Sequence, residues 1–118
     1  MATRELRVAV RDRDGVAVID LTGDVDGSAQ AALDEAYAQA TGAGAACLVL
    51  NFEATEYINS TGIALIVRLL AEARRDGRPV RANGLSEHYR EIFRITRLSD
   101  FIALDDDAAA TQNNGGAR

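Results

Sequence analysis

Residues 47–76 read CLVLNFEATEYINSTGIALIVRLLAEARRD, and the rest of the chain is organised around them. A short apolar run passes through a polar loop into Asn59-Ser60-Thr61-Gly62 and then into a long amphipathic helix. Residues 46–52 lack alternation, the mark of a central strand covered on both faces. Beyond Gly62 the spacing puts Ile63, Ile66, Val67, Leu70 and Ala73 on one helix face, and Arg68, Glu72, Arg75 and Asp76 on another. Leu65 and Leu69 flank that stripe as core margin or contact surface. At the strand-to-helix junction, small hydroxyl and amide side chains lie beside the backbone N–H groups that open the helix. Such an end tolerates added negative charge, so a phosphoryl group on Ser60 or Thr61 is accepted there without unfolding. The plainer reading of the same four residues is a helix start and nothing more.

Upstream, Leu6 to Val10 alternates, and residues 16–21 repeat the alternation after Asp12-Arg13-Asp14-Gly15, which predicts a hairpin. Gly23-Asp24-Val25-Asp26-Gly27 breaks the second strand, and Ser28 is placed to cap a helix over about 29–40, with Leu33, Ala36, Tyr37 and Ala40 toward the core. Downstream, Gly77-Arg78-Pro79 stops the long helix. Residues 80–82 make a short strand and Asn83-Gly84 a turn. Ser86 caps a third helix to about Ile95, with Tyr89, Ile92, Phe93 and Thr96 at core spacing. Residues 100–104 supply a last strand or the end of the core. The pattern predicts one α/β domain over 1–104, a mixed sheet of four to five strands with about three helices packed against it. Residues 105–118, three aspartates and then small and polar residues, read as a disordered acidic and polar tail.

Composition removes several functions. The chain has 118 residues and a net charge of −5, which argues against direct binding of nucleic acid. Its one cysteine, Cys47, falls in the apolar run and reads as a small buried hydrophobe in a reducing cytoplasm. The charged start at Arg4 and Glu5 is no signal peptide and no apolar run is long enough to span a bilayer, so the expected location is cytoplasmic and off the membrane. With one histidine, His88, expected to be exposed in the first turn of the third helix, metal binding has no ligand set. Ser60 lacks the flanking glycines of a nucleophile elbow, and Gly42-Ala43-Gly44 precedes a strand instead of following one. No cofactor and no enzyme activity are expected. Asp24 and Asp26 have no pocket around them to make an acid and base pair, which leaves loop anchor, cap or partner contact.

Gly23-Asp24-Val25-Asp26, the strand Leu48-Val49-Leu50-Asn51-Phe52 and Tyr57-Ile58-Asn59-Ser60-Thr61-Gly62-Ile63 together resemble the STAS family, and within it the bacterial anti-sigma-factor antagonists. The resemblance runs from about Glu5 to Leu104. It implies a small mixed sheet with packed helices, and a protein that binds an anti-sigma factor with serine-kinase activity. The matching phosphoacceptor is Ser60. Unphosphorylated protein would bind the kinase and free the sigma factor, phosphorylation would end that binding, and a serine phosphatase would reset it. Asp24, Asp26, Asn59 and Thr61 fall on the implied binding face. Asn59 stands where the family has aspartate, and Asp24 where it has glutamate. The alternative implied by Asn59 is a STAS scaffold or ligand-sensing module that is never phosphorylated.

Overall fold

A computed structural model describes residues 4–104; the tail expected over 105–118 lies outside the described residues. In chain order the elements are β1 (Arg7–Arg13), β2 (Val16–Thr22), a 3-10 turn (Gly27–Ala29), α1 (Gln30–Gly42), β3 (Cys47–Ala54), α2 (Ser60–Arg75), β4 (Val80–Asn83), α3 (Glu87–Ile95), a second 3-10 turn (Leu98–Asp100) and β5 (Ala103–Leu104). The expected α/β architecture is present, with five strands and three α-helices.

The hairpin is closed by Asp14 and Gly15, both at positive φ (55° and 83°), the combination that matches the twist of the flanking strands. β1 and β2 pair antiparallel, and each later strand is added in parallel beside the one before it, giving the order β1-β2-β3-β4-β5. Successive right-handed crossovers in one direction lay all three helices on one face. The register shows which face it is. Val10, Ile19, Leu50, Ala82 and Leu104 form one row across the sheet, and all but the half-buried Val10 are buried. Phe52 and Phe93 meet edge to face above this floor, with ring centroids 6.2 Å apart.

This topology corrects the expectation that β3 is covered on both faces. Its burial alternates, with Leu48, Leu50 and Phe52 inside and Cys47, Val49 and Asn51 half-buried on the open side. Cys47 is therefore not a core residue. The run looked continuous because the open face is itself partly apolar near the hairpin. There Val16, Val18 and Val49 share a shallow groove with Arg11 and Arg13, whose aliphatic stems can shield them. One row further on the open face is polar. Arg11 donates twice to Asp20 at 2.6 and 2.9 Å, Asn51 donates at 2.8 Å, and the Arg11 bonds lead in holding the Asp20 carboxyl below the usual range.

All three helix assignments also shift in detail. α1 begins at Gln30 with no side-chain cap, because Ser28 spends its N–H and hydroxyl on Asp26 in the preceding 3-10 turn. In α2 the buried stripe is Gly62, Ile66, Leu69, Leu70 and Ala73, so Leu69 is core while Val67 faces out. The stripe is centred on Gly62 because the helix touches the first loop there, as described below. In α3, Ser86 caps as expected, accepting from the Tyr89 N–H, and Tyr89 and Phe93 are buried, but Thr96 is exposed and returns its hydroxyl to the Ile92 carbonyl.

Candidate functional site

The site is built where β3 runs out. Thr55 turns the chain by donating its hydroxyl to the Leu21 carbonyl at 3.0 Å. Ile58 then folds inward and makes a lone parallel bridge with Val25. The Val25 N–H donates to the Tyr57 carbonyl at 2.9 Å, and the Asn59 N–H donates to the Val25 carbonyl at 3.1 Å. The two loops that carry the sequence motifs are thereby joined through backbone.

Asn59 is the N-cap of α2. Its backbone is extended (φ −94°, ψ −177°), and its Oδ1 accepts the Gly62 N–H at 2.8 Å. Ser60 and Thr61 follow as the first two helical residues, both exposed. No acidic residue occupies the first turn, while Arg74 and Arg75 occupy the last, so charge along the helix opposes nothing that binds at its start. Gly62 has no room for a side chain: a Cβ there would lie 2.0 Å from the Val25 carbonyl oxygen. A Cβ on Gly27 would come within 3.3 Å of Thr61 Cγ2, so the first 3-10 turn abuts the second residue of α2.

The two aspartates have internal employment. Asp24 Oδ2 accepts the Arg4 N–H at 3.1 Å and the Asp24 N–H returns to the Arg4 carbonyl at 2.9 Å, a two-way tie to the chain ahead of β1. Asp26 Oδ1 accepts the Ser28 hydroxyl at 2.6 Å and the Ser28 N–H at 2.9 Å, and these bonds, the hydroxyl foremost, hold its carboxyl below the usual carboxylate range. Asp26 adjoins Gly27 and so borders Thr61, whereas the Asp24 carboxylate is turned to the N-terminal segment. Among the described residues no cluster of three or more His, Cys, Asp and Glu is placed to hold a metal, and His88 is exposed beside the Tyr89 ring.

Sequence reasoning missed three participants. Tyr89, taken only as a core residue, reaches out of α3 and accepts the Ile58 N–H on its hydroxyl oxygen at 2.9 Å. Tyr57 stands 48% exposed two residues before the cap. Gly62 is a contact surface; the signal was a glycine inside the first turn of a helix, where it costs about 1 kcal/mol against alanine unless a Cβ is forbidden. Tyr89→Phe is expected to lower stability by about 1–3 kcal/mol, because it leaves a buried N–H without a partner. Urea unfolding of the two proteins checks this.

A family model described as "Mlab, STAS domain" matches residues 8–104. The chain is also 27% identical over 101 residues to the anti-sigma-F factor antagonist RsfB of Mycobacterium tuberculosis, across 75% of this chain and 83% of that protein. The chain belongs to the STAS-domain family. Among solved structures, an anti-sigma factor antagonist from Mycobacterium paratuberculosis superposes with a TM-score of 0.67 at 25% identity, covering 92% of this chain and 95% of that one. The Bacillus cell-fate determinant SpoIIAA, solved in its phosphorylated form, shares the fold with a TM-score of 0.62 at 21% identity, covering 87% and 96%. No helix among the described residues is long and apolar enough to cross a membrane.

Proposed function

We propose that this STAS domain binds an anti-sigma factor that is also a serine kinase, and that phosphorylation of Ser60 ends the complex. The observation that carries the reading is the exposure of Ser60 at the first position of α2, beside a cap and a neighbouring loop that are already fixed. A phosphate there adds about −1.5 to −2 charges. Within the protein those charges meet the positive end of a helix, and Asn59 keeps the cap without adding a carboxylate next to the acceptor. Across a close protein contact they must be stripped of water or repelled, and each ~1.4 kcal/mol lost weakens binding tenfold. Thr61 and Asn59 border the acceptor, Asp26 precedes Gly27, which abuts Thr61, and Asp24 ties that loop to Arg4. A serine phosphatase resets the protein, and the cycle runs in the cytoplasm without membrane or nucleic acid. Incubation with anti-sigma kinases of the same genome and ATP, followed by mass spectrometry, tests the site. Phosphate on Ser60 is expected, and a kinase that binds the protein tightly but leaves Ser60 unmodified overturns the switch.

Asn59 also favours a second reading, a scaffold or ligand-sensing STAS domain that binds its partner without ever being phosphorylated. In that case Ser60→Ala and Ser60→Asp bind the partner equally.

A further inference from the structure

The described residues expose four large apolar side chains: Tyr57 (48%), Val67 (43%), Ile95 (70%) and Phe101 (51%). Two of them, Val67 and Phe101, come together in one groove with Ala71, Thr96 and Leu98, while Tyr57 stands at the Ser60 site and Ile95 adjoins Thr96. Lone exposed apolar residues need no explanation, but a cluster of them marks a binding surface.

The groove is continuous with the site along α2. Ser60, Ala64, Val67 and Ala71 are all exposed and recur at the spacing of one helix face. Val67 lies roughly 10 Å from Ser60 along the axis, at about 1.5 Å of rise per residue. The two alanines between and beyond leave a smooth track on which a second helix can lie close. The groove's margin is cationic. Arg74 lies over the Phe101 ring at 5.1 Å, and Arg97, between Thr96 and Leu98, projects with its side chain 79% exposed. Asp100 partners Arg97 at 2.9 Å, whereas among the described residues Arg74 is seen against the Phe101 ring and not in an ion pair. In a chain of net charge −5, one uncompensated cation beside an apolar floor favours an acidic partner there.

We infer that this groove is a second docking element for the anti-sigma partner, and that it takes an amphipathic helix with one apolar anchor for the Val67–Phe101 floor and an acidic residue for Arg74. This rests on the reading of Ser60 given above and adds to it: the acceptor end of α2 reports phosphorylation, and the far half supplies affinity.

Binding of the anti-sigma kinase to Val67→Asp, Phe101→Ala and Arg74→Glu, with Arg74→Lys as control, tests it. All three positions are solvent-facing, so unchanged circular dichroism is expected, with melting lowered only slightly in Arg74→Glu, where a carboxylate replaces a cation in the last turn of α2. Val67→Asp should weaken binding about thirtyfold, the scale of an interface anchor. Arg74→Glu should weaken it about tenfold and Arg74→Lys little, by the scale of one charge contact. In phosphorylation assays Val67→Asp should raise KM and leave kcat unchanged, since it does not touch the acceptor. Wild-type affinity in Val67→Asp and Arg74→Glu, with Ser60→Asp still defective, overturns the groove and spares the switch. Failure of the wild-type protein to bind any anti-sigma factor overturns both. Concentration-dependent self-association that Val67→Asp abolishes assigns the groove to a second copy and also overturns the proposal.

Discussion

Gly62→Ala is expected to destabilise the protein by about 3 kcal/mol or more, at or beyond the upper end of what overpacking a core does. The added methyl would sit 2.0 Å from the Val25 carbonyl oxygen and 2.7 Å from its carbon, far inside van der Waals contact. Neither side can yield cheaply. The Val25 carbonyl is held by the Asn59 N–H, the Val25 N–H is held by the Tyr57 carbonyl, and Gly62 itself is held by the Asn59 side chain. Relief therefore means pulling α2 away from the first loop and losing the bridge between Val25 and Ile58. Gly42→Ala is the matched control. Gly42 also lies in a helix, but nothing stands within 4 Å of its Cβ position, so alanine there should be neutral or stabilise by up to about 1 kcal/mol. Denaturant midpoints of the two variants should move in opposite directions. Equal shifts would mean that the Val25 contact does not constrain the fold.

Ser60→Asp is expected to weaken binding of the anti-sigma partner by roughly 30- to 1000-fold, the effect of an unpaired charge placed in a close interface. The same substitution should leave stability unchanged or raise it by about 0.3–1 kcal/mol, because a carboxylate at the first helical position meets the positive end of the helix. Loss of binding without loss of fold separates a charge switch from a folding defect. Ser60→Ala should bind within a few-fold of wild type, since Ser60 is exposed and the cap belongs to Asn59. Calorimetric titration of the three proteins against one anti-sigma kinase, with thermal melts alongside, provides both readouts. Equal affinity of the alanine and aspartate variants would leave the scaffold reading.

Much of this arrangement was legible in the residues because local chemistry wrote it. Asp14-Gly15 announced the hairpin, Asn59 and Ser86 announced two helix starts, and Gly77 with Pro79 announced a stop, each through backbone geometry that few other residues satisfy. What the residues did not reveal depends on neighbours distant in the chain. Cys47 and Val49 looked buried because they are apolar, yet they lie on the sheet face that the run of one-way crossovers leaves uncovered. Val67 and Leu69 exchanged places because the roll of α2 is set by Gly62 against Val25, which no periodicity within the helix encodes. The resemblance put Asp24 and Asp26 on a partner-binding face, whereas their hydrogen bonds to Arg4 and Ser28 come from the folded loop and are written in no local motif.

The order of the strands bears on how the protein is made. Since each strand lies beside its predecessor in the chain, the sheet can extend one strand at a time as synthesis proceeds, and β1 to β4 need nothing beyond Asn83. The Tyr89 hydroxyl that holds Ile58 comes later, on α3. The stretch that leads into α2 thus gains its last tie, at Ile58, only after α3 has docked, although the Asn59 cap itself is already in place.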